Sequence, residues 1–266
     1  MADNPRRRGR LIAADAFLPY FPETETVERL QPLLGTRRDW PAISADFEQV
    51  GFQRAFEALH ADGQPYSHFL TIRRCYVSGL PGESSGETEE LARASSPIGF
   101  LFVDSVKYWY SIRQLALAVI DCLEPGAIVA WQDQRWFTCF GISYLNERLG
   151  DAMRLLAIAD GMHVYRYRGG VDADTIARIM PETVAEIPAA EFRSTFHEIA
   201  WRNYICNDAS GVLSATLQLG FALASQGQQE EAQRLFESAR SIPGFGDHDD
   251  LFQLAHVALK TIPSGP

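Results

Sequence analysis

The order of hydrophobic and polar positions over residues 98–136 predicts two strands joined by a helix. Each strand is a short apolar run with an acid close behind it. Asp104 directly follows the first run, and Asp133 comes two residues after the second. Between the runs, apolar residues recur at helical spacing until Pro125-Gly126 breaks the pattern. The predicted elements are a buried strand at 99–103, a helix at 111–123 and a second buried strand at 127–131.

A strand, a helix and a strand within roughly 35 residues are typical of a parallel crossover unit. In sheets of this kind, ligands bind beyond the carboxyl ends of the strands. Asp104 and Asp133 both follow such an end. The pattern therefore predicts a binding or catalytic site as well as a fold.

Strands and helices alternate through about residue 168, which favours an α/β fold with a doubly wound sheet. Residues 79–96 are polar, acidic and rich in Gly and Ser, so we expect a mobile surface loop there. The further predicted strands are 10–14, 67–77 and 162–167, and the further predicted helices are 24–30, 46–60 and 141–156.

The pattern changes at Gly169-Gly170 and becomes all-helical from about residue 190. The predicted organisation is an α/β domain at 1–168, a linker at 169–190 and a helical segment at 191–266. Within that segment, LQLGFALASQGQQEEAQRLFESARSIP resembles a tetratricopeptide repeat. Its small residues let two antiparallel helices approach closely, with Leu223 and Phe236 between them. One repeat cannot bury its own apolar face, so it packs on the α/β domain or on a partner chain. The matching positions are Leu219, Gly220, Leu223, Gly227, Ala232, Phe236, Ala239 and, offset by one residue, Pro243.

Composition narrows the classes of partner. The 266 residues are 46% hydrophobic and carry a net charge of -10, which argues against a protein that binds nucleic acid by neutralising its backbone. No apolar run approaches the roughly 18 residues of a transmembrane helix. Asp15 and two prolines interrupt the only stretch that resembles a signal peptide. The four cysteines lack metal-site spacing, so we expect reduced thiols and a cytoplasmic location, without nucleic-acid or membrane partners.

The order of several motifs resembles class I S-adenosylmethionine-dependent methyltransferases, closest to the branch that methylates hydroxyls of small molecules and sugars. These motifs are GRLIAADAF, RRCYV, GFLFVDSVKYWYS and LEPGAIVAWQD, and the resemblance covers residues 9–168. It implies a Rossmann-like sheet, S-adenosylmethionine as cofactor and methyl transfer to a small-molecule or sugar hydroxyl.

The resemblance also implies roles for three acids. Asp15 matches the acid after the family's second strand, which holds the cofactor ribose. Asp104 matches the acid after the fourth strand, near the methyl-transfer centre or a metal. Asp133 matches the acid after the fifth strand, as a base or second metal ligand. In metal-dependent relatives such carboxylates hold a divalent cation such as Mg²⁺, which lowers the pKa of the acceptor hydroxyl.

Further candidates come from the residues themselves. Lys107 lies beside Asp104 in the sequence, where it would pair with a carboxylate or act as a base. Tyr108, Trp131 and Trp136 place aromatic side chains near both strand ends and are candidates for the substrate pocket. Each candidate also has a structural alternative: Asp15 as a turn residue, Asp104 as a helix cap, Asp133 bonded to nearby amides, Lys107 in solvent and the aromatic residues in the core.

The family's first strand and glycine-rich loop have no counterpart in these 266 residues. Two interpretations follow. Residues 1–10 fit the end of a first helix, so the sequence would begin inside a longer enzyme. Alternatively, the chain is a non-catalytic, methyltransferase-derived protein that binds a partner, or a second copy of itself, through its tetratricopeptide-like helices.

Overall fold

A computed structural model describes residues 11–15, 28, 31–32, 35, 38–45, 55, 57–58, 70–75, 77, 86–104, 106–159, 161–242 and 255. The chain forms two compact units, Met1–Tyr76 and Val77–Pro266. The domain bounds at 168 and 190 stay a prediction.

The first unit contains a pair of parallel strands. Strand β1 (Leu11–Asp15) pairs with β2 (Leu70–Arg74), with Leu11 opposite Leu70 and Asp15 opposite Arg74. Both strands lie within or overlap the predicted strands. A short helix, α1 (Trp40–Ala45), lies between them in the sequence. The predicted helices at 24–30 and 46–60 lie largely outside the described residues.

The second unit is built on a mixed four-stranded sheet with the order β3-β4-β6-β5. The strands are β3 (Ile98–Val103), β4 (Leu123–Trp131), β5 (Met153–Ala159) and β6 (Met162–Tyr167). Strands β3 and β4 are parallel, as predicted, and β6 runs antiparallel to both of its neighbours. The carboxyl ends of β3 and β4 therefore meet at one edge of the sheet.

Helices lie between the strands and follow them. They are α2 (Gly86–Ser95), α3 (Trp109–Val119), α4 (Phe140–Leu149), α5 (Ala173–Ile179), α6 (Ala189–Ile205), α7 (Ala209–Ser225) and α8 (Gln229–Ala239). The core contains an aromatic cluster in which Phe192 of α6 contacts the rings of Trp109, Phe140 and Tyr144. In the described part of the chain, no helix is long and apolar enough to cross a membrane.

Two predicted elements were wrong. Residues 86–95, predicted as part of a loop, form α2, where Glu87 and Glu89 favour the positive end of the helix dipole and Ala92 is buried. The predicted helix at 141–156 ends at Leu149, because Gly150 adopts φ +51°, which favours glycine. The residues that follow form the edge strand β5.

The two central strands also differ from the prediction in detail. Strand β3 is not fully buried, because Phe100 and Phe102 are 45% and 47% exposed. Strand β4 begins at Leu123 and includes Pro125-Gly126 instead of starting after it. Ile98 is opposite Leu123 but Phe100 is opposite Ile128, so β4 bulges at the Pro-Gly pair, where Gly126 has φ +97°.

The C-terminal helices pack on the α/β part of the same unit. Over residues 213–224 of α7, every residue except Thr216 is buried, between α6, α8 and α4. Helices α7 and α8 form the predicted hairpin, and Leu223 and Phe236 are completely buried. Gly220 permits the close approach, since a Cβ atom there would overlap the Phe236 ring. The stretch predicted as a linker contains α5, whose Ile176 is buried in this core.

Candidate functional site

The site at the carboxyl ends of β3 and β4 is a three-residue charge cluster. Lys107 Nζ lies 2.7 Å from Asp133 Oδ2 and 3.4 Å from Asp104 Oδ1. About half of each carboxylate side chain remains exposed, whereas the Lys107 side chain is 23% exposed. The fold thus joins all three residues that the sequence proposed for this edge.

Local backbone geometry carries Asp133 to this position. The amide of Gln132 donates to Val103 O at 2.9 Å, which extends the parallel pairing one step beyond β4. Asp133 then adopts φ +55°, a left-handed conformation that Asp tolerates better than most residues. Its carbonyl accepts from Trp136 N at 2.8 Å and closes the turn. A strained non-glycine residue at a strand end is a feature of many functional sites.

The cluster keeps Lys107 charged. Burial alone lowers the pKa of Lys107, but the hydrogen bond and negative charge of Asp133, together with Asp104, raise it above its ordinary value. Lys107 is therefore an ammonium at neutral pH, a poor base but a good anchor for the two carboxylates. Two carboxylates and one ammonium leave one net negative charge. Nearby, burial raises the pKa of the Cys139 thiol to about 12, so this cysteine is not a nucleophile.

Helix α7 holds the turn that carries Asp133. Gln218, which is 1% exposed, donates from Nε2 to the carbonyl oxygens of Gln134 at 2.6 Å and Trp136 at 2.9 Å. Ser214 Oγ donates to Arg135 O at 2.7 Å. These residues were missed by sequence reasoning. The one available signal was a lone glutamine between two leucines of an apolar helix.

The aromatic candidates lie in different environments. Tyr108 is 63% exposed at the start of α3, and Trp136 is 37% exposed with its ring stacked 4.6 Å from that of Phe137. Trp131 is 3% exposed, and its indole nitrogen has no hydrogen-bond partner among the described residues. Tyr108 and Trp136 can therefore contact a ligand from solvent, whereas Trp131 lies in the core.

Asp15 is the last residue of β1, in the first unit. Its side chain lies outside the described residues. Among the residues that the structure describes, no group of three or more His, Cys, Asp or Glu side chains is suited to hold a metal ion. At the strand ends the Lys107 ammonium contacts both Asp104 and Asp133 and already supplies the positive charge that a metal ion would bring. The described residues therefore do not fit a divalent cation at that point.

Comparison with known proteins gave no family: no protein-family model, curated protein or solved structure matches the chain.

Proposed function

We propose that this protein transfers a methyl group from S-adenosylmethionine to a hydroxyl of a small molecule or sugar. The observation that carries the proposal is the pair of carboxylates, Asp104 and Asp133, at neighbouring parallel strand ends and joined by Lys107. Ligands of doubly wound sheets bind at such ends. The proposed reaction comes from the resemblance of the motif order in this chain to that of the methyltransferases.

The strand pairs support the same proposal. A doubly wound sheet of the dinucleotide-binding type has the strand order 3-2-1-4-5-6. If β1 and β2 correspond to the second and third strands, and β3 and β4 to the fourth and fifth, both expected neighbouring pairs are parallel in this chain. The first strand of that order has no counterpart among the described strands.

The charge of the cluster suits the cofactor. S-adenosylmethionine, when bound, supplies an activated methyl group on a positively charged sulfonium. The net negative charge of Asp104, Lys107 and Asp133 would attract that cation. Asp104 is assigned to the cofactor side of the site. The ribose role of Asp15, which belongs to the first unit, rests on the resemblance alone.

Asp133 is assigned as the group that accepts the proton of the acceptor hydroxyl. Lys107 positions the Asp133 carboxylate and does not itself act as a base, because it stays protonated. Tyr108 and Trp136 would contact the acceptor, since both rings reach solvent. Most of the acceleration in such a site comes from holding the reactants in line. No metal ion is assigned a step, because Lys107 supplies the positive charge.

Isothermal titration of the 266-residue protein with S-adenosylmethionine tests the proposal. We expect binding at micromolar to millimolar cofactor, weakened at least tenfold, about 1.4 kcal/mol, by Asp104→Asn. Asp121→Asn is the matched control, because Asp121 is exposed in the short turn after α3. No heat at millimolar cofactor, or equal binding by both variants, would refute the proposal for this chain.

A second candidate function is that of a non-catalytic interaction protein. It is favoured by an exposed apolar patch at the end of α6, where Trp201, Tyr204 and Ile205 are 63%, 66% and 63% exposed and the two aromatic rings stack. Surface patches of this kind mark interaction sites. If the patch joins two copies, sedimentation will show a dimer that Trp201→Ser with Tyr204→Ser converts to a monomer. A wild-type monomer up to about 100 µM, well above typical dimer affinities, contradicts self-association.

A further inference from the structure

A cavity lies between the sheet and the C-terminal helices, apart from the charge cluster. It has a volume of about 290 Å³ and is lined by β5 and β6, by the turn after β4, and by α4, α6 and α7. Asp104, Lys107 and Asp133 are not among the lining residues. The cavity therefore does not depend on the charge cluster described above.

Buried polar side chains are concentrated at this cavity. The described residues include nine buried polar side chains, and six of them line it. Four of the six are bonded within the fold, but Asn146 and His163 are not fully paired, and burying an unpaired polar group destabilises a fold. The six are Gln134, Ser143, Asn146, His163, Ser214 and Gln218.

Some of this hydrogen-bonding capacity is unused within the described residues. Asn146, 4% exposed, donates from Nδ2 to Ile142 O at 2.8 Å, but its Oδ1 has no partner. His163 Nδ1 approaches Gly161 O at 3.4 Å and leaves Nε2 without a described partner. Burial, with the charge of Arg135, lowers the pKa of His163 to about 4. The imidazole is therefore neutral at neutral pH and offers one donor and one acceptor.

The charges around the cavity cancel. Arg135 pairs with Asp208, and Arg202 donates to both carboxylate oxygens of Glu147, at 3.0 and 2.5 Å. The remaining charged lining residues are Asp151 and Arg154, both exposed. The lining thus has three arginines and two carboxylates, and Asp208, which is not itself a lining residue, supplies the third carboxylate as the partner of Arg135. An ionic ligand gains nothing from such a balanced wall, whereas a neutral ligand with both donors and acceptors can use it.

We propose that this cavity binds a small, neutral, hydroxyl-rich molecule of the monosaccharide class. Side-chain amides, hydroxyls and a neutral imidazole can each donate and accept, which matches the dual character of sugar hydroxyls. The cavity size is at the lower end of the range for small-molecule sites. Tyr165, whose hydroxyl donates to Gln134 Oε1 at 3.2 Å, adds an aromatic ring to the wall.

Saturation-transfer NMR on the full chain tests the proposal with glucose, galactose, mannose and N-acetylglucosamine, each at millimolar concentration and without S-adenosylmethionine. We expect signal transfer to at least one sugar, reduced about fivefold or more, the effect of one lost hydrogen bond, by Asn146→Leu. Asn203→Ala, at a half-buried position on α6, tests the same wall if Asn146→Leu fails to fold. Gln233→Leu on α8 is the matched control, remote from the lining.

No transfer to any of the four sugars overturns the proposal, as does equal transfer in wild type and the wall variants. Binding of adenine or benzoate in place of the sugars overturns the assigned ligand class. Because cofactor is absent from the experiment, its outcome is independent of whether the chain is a methyltransferase.

Discussion

Gln218 of α7 donates a 2.6 Å hydrogen bond to the backbone carbonyl of Gln134, in the turn after β4. The same side chain also holds Trp136 O. Since Asp133 begins this turn, its position depends on a helix that follows it by more than 70 residues in the sequence. The C-terminal helices are therefore part of the architecture of the candidate site.

Gln218→Leu will destabilise the protein by about 2 kcal/mol, because the buried Gln134 carbonyl loses its donor, whereas Trp136 O keeps the hydrogen bond from Cys139 N. The free energy of unfolding from urea titration measures the change. Gln233→Leu is the control, since Gln233 is partly exposed and, among the described residues, its side chain bonds to Glu237 alone, on its own helix. It should shift stability by less than about 0.5 kcal/mol. Equal effects of the two substitutions would show that the Gln218 hydrogen bonds do not stabilise the turn after β4.

Asp208 combines two contacts that a pair of substitutions can separate. Its Oδ1 accepts from Gly211 N at 2.9 Å and caps α7, while its carboxylate pairs with Arg135 in the turn after Asp133. Asp208→Asn keeps a good cap and loses the ion pair, so we expect a loss of about 1 kcal/mol. Asp208→Ala loses both contacts and should lose about 2 kcal/mol. Identical thermal unfolding of the two variants would contradict a separate contribution from the cap.

Gly220→Ala will destabilise the protein by about 1–3 kcal/mol through overpacking. In an open helix the same change stabilises by about 1 kcal/mol. The sign reverses here because the new methyl group would overlap the Phe236 ring. In a Phe236→Leu background the facing side chain is smaller, so Gly220→Ala should destabilise that protein less than it destabilises the wild type. Chemical denaturation of the four proteins measures this coupling, and simple additivity would argue against the contact.

The stability of the protein will fall as pH decreases from about 6.5 to about 4, because of His163. The folded state holds the pKa of His163 at about 4, whereas the unfolded chain titrates near the ordinary value of 6.5. Between these values the unfolded chain binds more protons, so acid favours unfolding. We expect His163 to account for a loss of about 2 kcal/mol at about pH 5 relative to pH 7.5.

Urea unfolding at the two pH values measures that loss. His163→Gln, which cannot titrate, should have a pH dependence smaller by this amount, while other acidic groups affect both proteins alike. His197→Gln is the control, because His197 is exposed on α6. A pH dependence that is unchanged in His163→Gln would be evidence against a neutral, buried imidazole.

The sequence was sufficient to predict β3, α3, β4 and β6 because their hydrophobic periods are distinct and Asp104 and Asp133 mark the strand ends. It was insufficient for β5, since MRLLAIA fits a helix as well as a strand and only Gly150 signals the break. Helix α2 was missed because the Gly and Ser residues around it dominated the pattern. Local sequence signals determine the structure of β3, α3, β4 and β6, whereas tertiary packing determines that of β5 and α2.

The site was partly predictable for a similar reason. Strand direction places Asp104 and Asp133 at one edge, and Lys107 lies in the short connection between β3 and α3. No local pattern shows that Gln218 reaches Gln134, or that His163 and Asn146 line one cavity. Such contacts join residues far apart in the sequence, and they depend on how α7 packs against the sheet.

The enclosure of α7 has a consequence for synthesis on the ribosome. Chains grow from the N-terminus at about 5–20 residues per second, and earlier parts fold first. The turn with Asp133 emerges long before Ser214 and Gln218, which hold it in place. The nascent chain will therefore carry β3 and β4 without a finished strand-end turn, and the charge cluster acquires its final geometry only after α7 has been translated.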